Sequence, residues 1–199
     1  LIVGLGNPGA KYEGTRHNVG FLTLSRLAEK WNGTWSEEKK FKARMSRVMV
    51  DGKIIHLCQP QTYMNLSGES VSAVCNYYRI ATQQLLVIVD DAELALGQLR
   101  MRISGSSGGH NGLSSVEQHL ATPNYLRLRI GVGKPRQGAE LAGHVLGRLS
   151  PAELLSVTQV LDLVLLQCEC WLRHGATQAM NEYNGKLDFP DKTIDKDTE

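Results

Sequence analysis

The chain has 199 residues, 42% of them hydrophobic and 21% charged, with a formal net charge of +2. Such a composition describes an ordinary globular protein, and the length suits one domain with a sizeable core or at most two small ones. Because no apolar run approaches the ~18 residues of a membrane span, we expect no integral membrane protein.

The charge is distributed unevenly along the chain. Residues 186–199 carry five acidic side chains and three lysines, a net −2, which leaves +4 on residues 1–185. That balance is mildly basic and is compatible with a phosphate-bearing partner.

An apolar run at the start, residues 1–3, predicts a strand that leads into a glycine-rich turn, residues 4–9. The glycine spacing matches the dinucleotide-binding pattern, in which a helix begins at the last glycine and receives a pyrophosphate. Here Pro8 interrupts the pattern, and helical periodicity begins only near Val19, so the segment between them predicts a loop. The sequence therefore does not favour a nucleotide site.

A helix over residues 21–31 is followed by a basic segment, residues 39–47, that merges into a strand over residues 45–50. The Asp-Gly pair at 51–52 and a second strand at 53–58 predict a hairpin. The basic side chains indicate either a phosphate-facing edge or a solvated edge strand protected by lysines.

A polar loop over residues 59–65 precedes a predicted helix around 71–78. The unbroken apolar run 85–89 is typical of a central strand covered on both faces, and it ends in Asp90 and Asp91, where α/β sheets place their ligands. Residues 98–103 predict a strand with one solvent-exposed face.

The second glycine-rich loop, residues 104–112, leads into a predicted helix over 114–120 and a strand over 126–132. A capping box at Ser150 begins a long helix that stops near Gly175. The polar residues 186–199 predict a disordered tail.

These elements predict an α/β fold: a single domain over residues 1–185, with a mixed, mostly parallel twisted sheet flanked by helices on both faces. The four cysteines lack the paired spacing of zinc sites, so we expect reduced, buried thiols and a cytoplasmic protein. The chain opens at Leu1, inside a strand, so organellar import stays open.

Polar side chains cluster at the ends of separate predicted elements. Asparagines in loops commonly serve turns. Asparagines from three loops, together with a histidine and an aspartate, instead favour a site that orients a neutral polar group such as an ester or peptide bond. The candidates are Asn7, His17, Asn65, Asp90, His110 and Asn111.

His17 is the natural general base, because an imidazole with a pKa near ~6.5 accepts a proton at neutral pH. Asp90 is expected to accept its other ring N–H, although a helix N-cap is the alternative for Asp90. No serine has nucleophile-elbow spacing and no metal-ligand spacing occurs, which favours water activated by histidine, without metal or cofactor. The other element-embedded histidines are interpreted as structural: His56, His119, His144 and His174.

The motifs together resemble the bacterial-type peptidyl-tRNA hydrolase family, in order and spacing, up to about residue 185. The first motif is Gly6-Asn7-Pro8-Gly9-x-x-Tyr12-x-x-Thr15-Arg16-His17-Asn18. The other four are Tyr63-Met64-Asn65-Leu66-Ser67-Gly68, Asp90-Asp91, Gly108-Gly109-His110-Asn111-Gly112 and Arg127-Leu128-Arg129-Ile130-Gly131. Five co-linear motifs are far more specific than any one of them.

The resemblance implies cleavage of the ester that links a peptide to the 3′ end of tRNA, by a monomer that contacts the acceptor stem and CCA end and no membrane. It assigns the catalytic set as His17, Asp90 and Asn7. The substrate-binding set is Tyr12, Met64, Asn65, Asn111, His110 in a mobile glycine-rich gate, and a phosphate clamp of Arg102 and Arg129.

Two departures from the family pattern affect loops. The segment after Asp90 reads Asp91-Ala92-Glu93-Leu94-Ala95, without the usual proline, and the gate carries Ser106 and Ser107 in place of glycines. Neither departure changes His17 or Asp90, so we expect both to affect the motion of the loops more than the activity.

Two other functions stay open on the sequence. Relatives in plant organelles resemble the family yet serve in RNA splicing without hydrolysis, which makes a non-catalytic RNA-binding role the main alternative. An oxidoreductase that binds NAD(P) through the glycine-rich turn is the other.

Overall fold

The computed structural model describes residues 1–135, 138 and 140–185. A seven-stranded mixed sheet has the order β2-β3-β4-β1-β5-β7-β6. β1 is parallel to β4 and to β5, and β5 is parallel to β7; the pairings at both edges are antiparallel. The strands are β1 Ile2–Gly4, β2 Trp35–Glu38, β3 Ala43–Val50, β4 Lys53–Pro60, β5 Leu86–Asp91, β6 Leu99–Arg102 and β7 Leu126–Gly131.

Helices cover both faces of this sheet. Alternate side chains of the central strands point to opposite layers, so Ile2 and Ile88 lie in one hydrophobic core while Val3 and Val87 lie in the other. α1, α5 and α6 pack on the first core, and α2 and α3 on the second. The helices are α1 Val19–Lys30, α2 Ser67–Tyr78, α3 Asn111–Leu120, α4 Leu141–Leu146, α5 Pro151–His174 and α6 Ala176–Tyr183.

The predicted α/β class with a mixed sheet is confirmed, with the parallel pairings confined to its centre. The hairpin of β3 and β4, the buried central strand β5 and the capping box of α5 at Ser150 are confirmed as well. The predicted tail, residues 186–199, lies outside the described residues.

Three elements were not predicted from the sequence: β2, α4 and α6. β2 is polar, yet it pairs with β3 and takes the edge of the sheet. The interpretation of the basic segment as an edge strand is therefore wrong for Arg44, which lies on β3 between Glu37 of β2 and Gln59 of β4. Arg47 lies on β3 beyond the last residue that β2 pairs. α6 follows α5 after the single residue Gly175, whose φ of 87° is a conformation that favours glycine.

α5 is long and apolar enough to cross a membrane by length and composition alone. Its inward face, which includes Val157, Leu161 and Val164, is buried in the core beside α1. A helix buried in a protein core can have the same length and hydropathy as a membrane span, and the burial of α5 fits a core helix.

All four cysteines are free and buried, as predicted. Burial raises the pKa of the Cys58 and Cys168 thiols to about 12, so both stay protonated and unreactive at neutral pH.

Candidate active site

The first glycine-rich loop leaves β1 in close contact with α1. A Cβ on Gly4 would lie 2.1 Å from the carbonyl oxygen of Gly20, and one on Gly20 would lie 2.4 Å from that of Leu5. Only glycines permit this approach, which brings the start of α1 over the carboxyl end of β1. α1 begins at Val19, after two short 3₁₀ turns, so no α-helix begins at the glycines, as predicted.

Asn18 fixes the backbone of this loop. Its side-chain oxygen accepts a hydrogen bond from the Asn7 backbone N–H at 2.9 Å, and its amide nitrogen donates to the Asn7 carbonyl at 2.9 Å. The side-chain oxygen of Asn7 accepts from the Met64 N–H at 2.8 Å. Because that bond fixes which end of the amide is the oxygen, Asn7 Nδ2 is left as a donor for a bound molecule.

His17 lies in the 3₁₀ turn Arg16–Asn18, and its Nδ1 is 2.8 Å from Asp90 Oδ1. The same oxygen is 3.1 Å from Nε2 of His110. An ionised carboxylate only accepts hydrogen bonds, so each of these ring nitrogens carries the proton. In the neutral ring, Nε2 is therefore the nitrogen without a proton, and it is the one that can act as a base.

His110 is also the N-cap of α3. Its Nδ1 accepts from the backbone N–H groups of Gly112 and Leu113 at 3.1 and 3.3 Å, which independently assigns the ring proton to Nε2. This cap makes α3 begin at Asn111, three residues before the predicted start. Sequence reasoning placed His110 in a gate and missed its contact with Asp90.

Asp90 is buried within β5 and is 2% exposed. Burial opposes ionisation of its carboxyl group, but the hydrogen bonds from His110 and His17 outweigh it and hold the pKa well below the usual range. Asp90 is therefore a carboxylate at neutral pH. The alternative of a helix N-cap is wrong, because Asp90 lies inside a strand and contacts two histidines.

Arg16 ties the turn that carries His17 to the start of α5. Its guanidinium donates to the carbonyls of Gly147 and Arg148 at 3.3 and 3.1 Å and to Glu153 Oε1 at 2.6 Å. Thr15 also pairs with Arg148 in an antiparallel bridge. The turn that carries His17 is therefore attached to residues 147–153, which lead into α5.

Two arginines of β7 hold the second glycine-rich loop. Arg127, only 1% exposed, donates to the carbonyls of Gly105 and Ser106. Arg129 donates to the carbonyls of Ser106 and Ser107 at 3.0 and 2.9 Å and to Asp91 Oδ2 at 3.1 Å. The loop therefore depends on charged side chains for its position.

One cavity of about 660 Å³ joins these groups. It brings together eight of the ten predicted site residues: Asn7, His17, Met64, Asn65, Asp90, His110, Asn111 and Arg129. Tyr12 is not in the lining, but its ring packs edge-on against Tyr63, which is. Arg102 is exposed on β6, also outside the lining.

Two further parts of the cavity wall are not among the ten predicted site residues, although the position of Asp91 at the ligand end of a strand was noted from the sequence. Asp91 lines it and pairs with Arg129. Apolar residues of α4, among them Leu141 and Val145, form a further part, but α4 is too short to give a periodic signal. Arg127 belongs to one of the motifs of the family resemblance, but its contacts with the glycine-rich loop were not predicted, because alternating arginines on a strand are typical of a solvent-exposed face.

The ligand atoms of His17, Asp90 and His110 lie within 4.8 Å of one another, as in a metal site. A metal on His110 Nε2 would require the ring proton to move to Nδ1. That N–H would then face the two backbone N–H groups that Nδ1 now accepts. The donor pattern fits a hydrogen-bonded carboxylate better than a metal ion.

The chain is similar over nearly its whole length to proteins described as peptidyl-tRNA hydrolases, and the family model of that description matches residues 1–192. The peptidyl-tRNA hydrolase of Bacillus cytotoxicus is 42% identical over 184 residues, 92% of this chain and 98% of that protein. That of Synechococcus sp. (strain JA-2-3B'a(2-13)) is 45% identical over 197 residues, 99% of this chain and 88% of that protein. The crystal structure of the Acinetobacter baumannii enzyme has a TM-score of 0.88 at 38% identity, covering 92% of this chain and 93% of that chain.

Proposed function

Since the chain belongs to the peptidyl-tRNA hydrolase family, we propose that it hydrolyses the ester between peptide and tRNA with His17 as the general base. The observation that carries this mechanism is the pair of contacts on Asp90 Oδ1, which place the proton of the neutral His17 ring on Nδ1 and leave Nε2 as its basic atom, in a residue that lines the cavity.

The reaction then needs no covalent bond between the protein and the substrate. His17 Nε2 takes a proton from water as the water oxygen attacks the ester carbonyl, and Asp90 stabilises the imidazolium that forms. Asn7 Nδ2 donates to the developing oxyanion. When the tetrahedral intermediate collapses, the carbon–oxygen bond to the terminal ribose breaks and the imidazolium returns the proton to the 3′ oxygen. The products are a free peptide carboxylate and tRNA.

Replacing His17 by alanine tests the base. General-base assistance is worth about 10²–10⁴-fold in rate, so kcat should fall by that factor while the Kd for tRNA changes little. Asp90→Asn should fall within the same range, because the neutral amide does not stabilise the imidazolium. Release of labelled peptide from peptidyl-tRNA measures both variants, and full activity in His17→Ala would exclude this mechanism.

Contacts with the tRNA acceptor stem and CCA end are proposed for the basic residues near the cavity. Arg129 lines the cavity and Arg102 is exposed on neighbouring β6. Each phosphate contact adds about one to the slope of log Kd plotted against log salt concentration. Arg102→Gln should lower that slope by about one, and an unchanged slope would remove Arg102 from the interface.

We propose that the protein acts as a cytoplasmic monomer without a metal ion. The donor pattern around Asp90 supports the absence of a metal, and activity should survive dialysis against a chelator. A non-catalytic RNA-binding role is not favoured, because such a role has no need for a histidine held by a buried carboxylate in the same cavity as Asn7. Peptide release by the purified protein separates these two roles.

A further inference from the structure

The face of the sheet on which α2 packs carries an aromatic cluster formed by Phe41, His56, Tyr77 and Tyr78. The two tyrosines are the last residues of α2 and are 60% and 39% exposed. Their ring centres are 4.9 Å apart, and both rings pack against Phe41. Tyr78 also stacks on His56 of β4, with 4.0 Å between the ring centres and 28° between the planes. None of these four residues lines the catalytic cavity.

Two cations lie at opposite ends of the aromatic cluster. The Nζ of Lys40 is 4.0 Å from the centre of the Tyr77 ring. Arg47, on β3, is the cross-strand neighbour of His56. Both cations are exposed, and neither forms a salt bridge with any residue that the structure describes. Since a cation is attracted to the face of an aromatic ring, the charge of Lys40 is held beside an exposed tyrosine.

The hairpin of β3 and β4 extends the aromatic cluster with exposed apolar side chains. Met49 and Ile54 are cross-strand neighbours on the same face as Arg47 and His56, and they are 65% and 49% exposed. Large apolar side chains that lie exposed beside aromatic rings mark a surface that a partner covers.

The surrounding charge indicates which partner fits. Glu69, the acidic residue of α2, pairs with Lys42 at 2.7 Å. Glu38, at the end of β2, accepts a hydrogen bond from Ser36 at 3.4 Å. The two cations of the cluster therefore keep their charge for a partner that brings anions. A second copy of the chain in a symmetric dimer would place the same positive charges opposite each other, so this surface does not fit a dimer.

We propose that the aromatic cluster, together with Lys40 and Arg47, binds single-stranded RNA. Unpaired bases stack on the exposed tyrosine rings, and the two cations contact phosphates. Bases in a duplex already stack on one another, so a single strand fits this surface better than a stem. The site is separate from the proposed phosphate clamp, because β4, β1 and β5 lie between β3 and β7, a distance of about 19 Å at about 4.8 Å per strand.

An oligouridylate of about 12 nucleotides, labelled with fluorescein, tests the site by fluorescence anisotropy. It has no peptide ester, so its binding is measured independently of hydrolysis. Wild-type protein should bind it with a Kd of about 1–100 µM. Tyr77→Ala should raise the Kd by about 5- to 100-fold, because one stacked base is lost. Tyr77→Phe keeps the ring and should bind as the wild type does. Because Tyr77 is 60% exposed, neither change disturbs the core.

The dependence of the Kd on salt tests the two cations. Each phosphate contact with a single strand adds about 0.7 to the slope of log Kd against log salt concentration, so Lys40→Gln and Arg47→Gln should each lower the slope by about that amount. Lys30→Gln is the matched control, because Lys30 is exposed on α1, which packs on the opposite face of the sheet. It should leave the slope unchanged.

Two results would remove RNA from this surface. One is a wild-type Kd above about 1 mM, ten times the weakest expected value. The other is an unchanged Kd in Tyr77→Ala, above all if Arg102→Gln weakens binding instead, since the oligouridylate would then occupy the clamp. Tyr77→Ala should hydrolyse peptidyl-tRNA at the wild-type rate, so failure of the RNA site would leave the proposed function intact.

A labelled oligoglutamate of the same length separates RNA from an acidic protein segment. It neutralises the cations but brings no flat ring to stack, so it should bind at least about 10-fold more weakly than the oligouridylate. Its Kd should be the same for wild type and Tyr77→Ala. Equal affinity of the two probes would assign this surface to an acidic protein and overturn the RNA site.

Discussion

The loop after β1 and the loop before α3 lead to histidines that contact one oxygen of Asp90, but their backbones are fixed by different groups. The first is held by neutral amides, with two bonds between Asn18 and the Asn7 backbone and one from Met64 to Asn7, all buried. The second is held by the arginine side chains of β7, which donate to its exposed carbonyls.

This difference assigns different tasks to the two loops. Short, uncharged, buried hydrogen bonds are insensitive to salt and leave few alternative geometries, so the first loop suits groups that must not move during the reaction. Long arginine side chains at a cavity wall respond to other anions. Arg129 in particular contacts Asp91 and the loop while it lines the cavity, so a substrate phosphate would compete with the bonds that hold the loop.

Of the changes that compare the two loops, the largest effect is expected from a substitution in the first loop. Asn7→Ala should lower kcat by about 10²–10³-fold, the effect of removing one oxyanion donor, with little change in KM. Asn7→Asp is the informative partner, because an aspartate still accepts from the Met64 N–H but has no N–H to donate. Steady-state hydrolysis of peptidyl-tRNA measures both; substantial activity in Asn7→Asp would show that the loop only needs the acceptor.

A smaller effect is expected from the second loop. Arg129→Lys keeps the positive charge but replaces a planar group that contacts Ser106, Ser107 and Asp91 together with a single point charge. KM should rise about 3- to 10-fold, since one or two hydrogen bonds of about 1 kcal/mol each are lost. Hydrogen exchange of the loop amides should become faster while exchange around Asn7 stays unchanged.

Arg26→Lys is the matched control for that variant, because Arg26 makes exposed ion pairs with Glu29 and Asp162 away from both loops. It should leave KM and loop exchange at wild-type values. Faster exchange around Asn7 in Arg129→Lys would mean that the two loops are not fixed independently.

The smallest effect is expected on stability, from the contact between Arg16, in the turn that carries His17, and Glu153 of α5. Partial burial opposes ionisation of Glu153, but hydrogen bonds from Ser150 and Arg16 lower its pKa to about 2 from an ordinary value of 4.5. A carboxyl group whose pKa is lower in the folded protein adds stability above the unfolded pKa, and that stability is lost as pH falls through the folded pKa. Glu153→Gln should therefore lower the melting temperature at pH 7 by roughly 2–4 °C, as expected for about 1 kcal/mol at a cap.

The difference between wild type and Glu153→Gln should shrink as pH falls from about 4.5 to about 2, which thermal unfolding across that range measures. Glu29→Gln, at an exposed ion pair, should show almost no difference at any pH. A difference for Glu153→Gln that persists at pH 2 would have a cause other than the charge.

Much of this molecule follows from local sequence. The strand over 85–89 is continuous and apolar because both of its faces are covered, the Asp-Gly pair at 51–52 fits only a tight turn, and Ser150 to Glu153 forms a cap from four adjacent residues. The choice of His17 over the other histidines also came from its place in a loop after a strand.

The parts that the sequence did not predict depend on partners distant along the chain. β2 has a polar sequence and becomes a strand only because β3 offers it an edge. α4 is a short helix whose apolar side chains line the cavity, a role that depends on how the helix packs and not on its own sequence.

By itself, the sequence determined the class of fold, the two glycine-rich loops and the residue types of the site, because these depend on backbone preferences and burial patterns a few residues long. Only the tertiary structure decided that His17 and His110 share one oxygen of Asp90 and that Arg129 holds a loop. Such contacts join residues 20 to 73 positions apart, and hydrogen-bond geometry at that separation is set by how the elements pack.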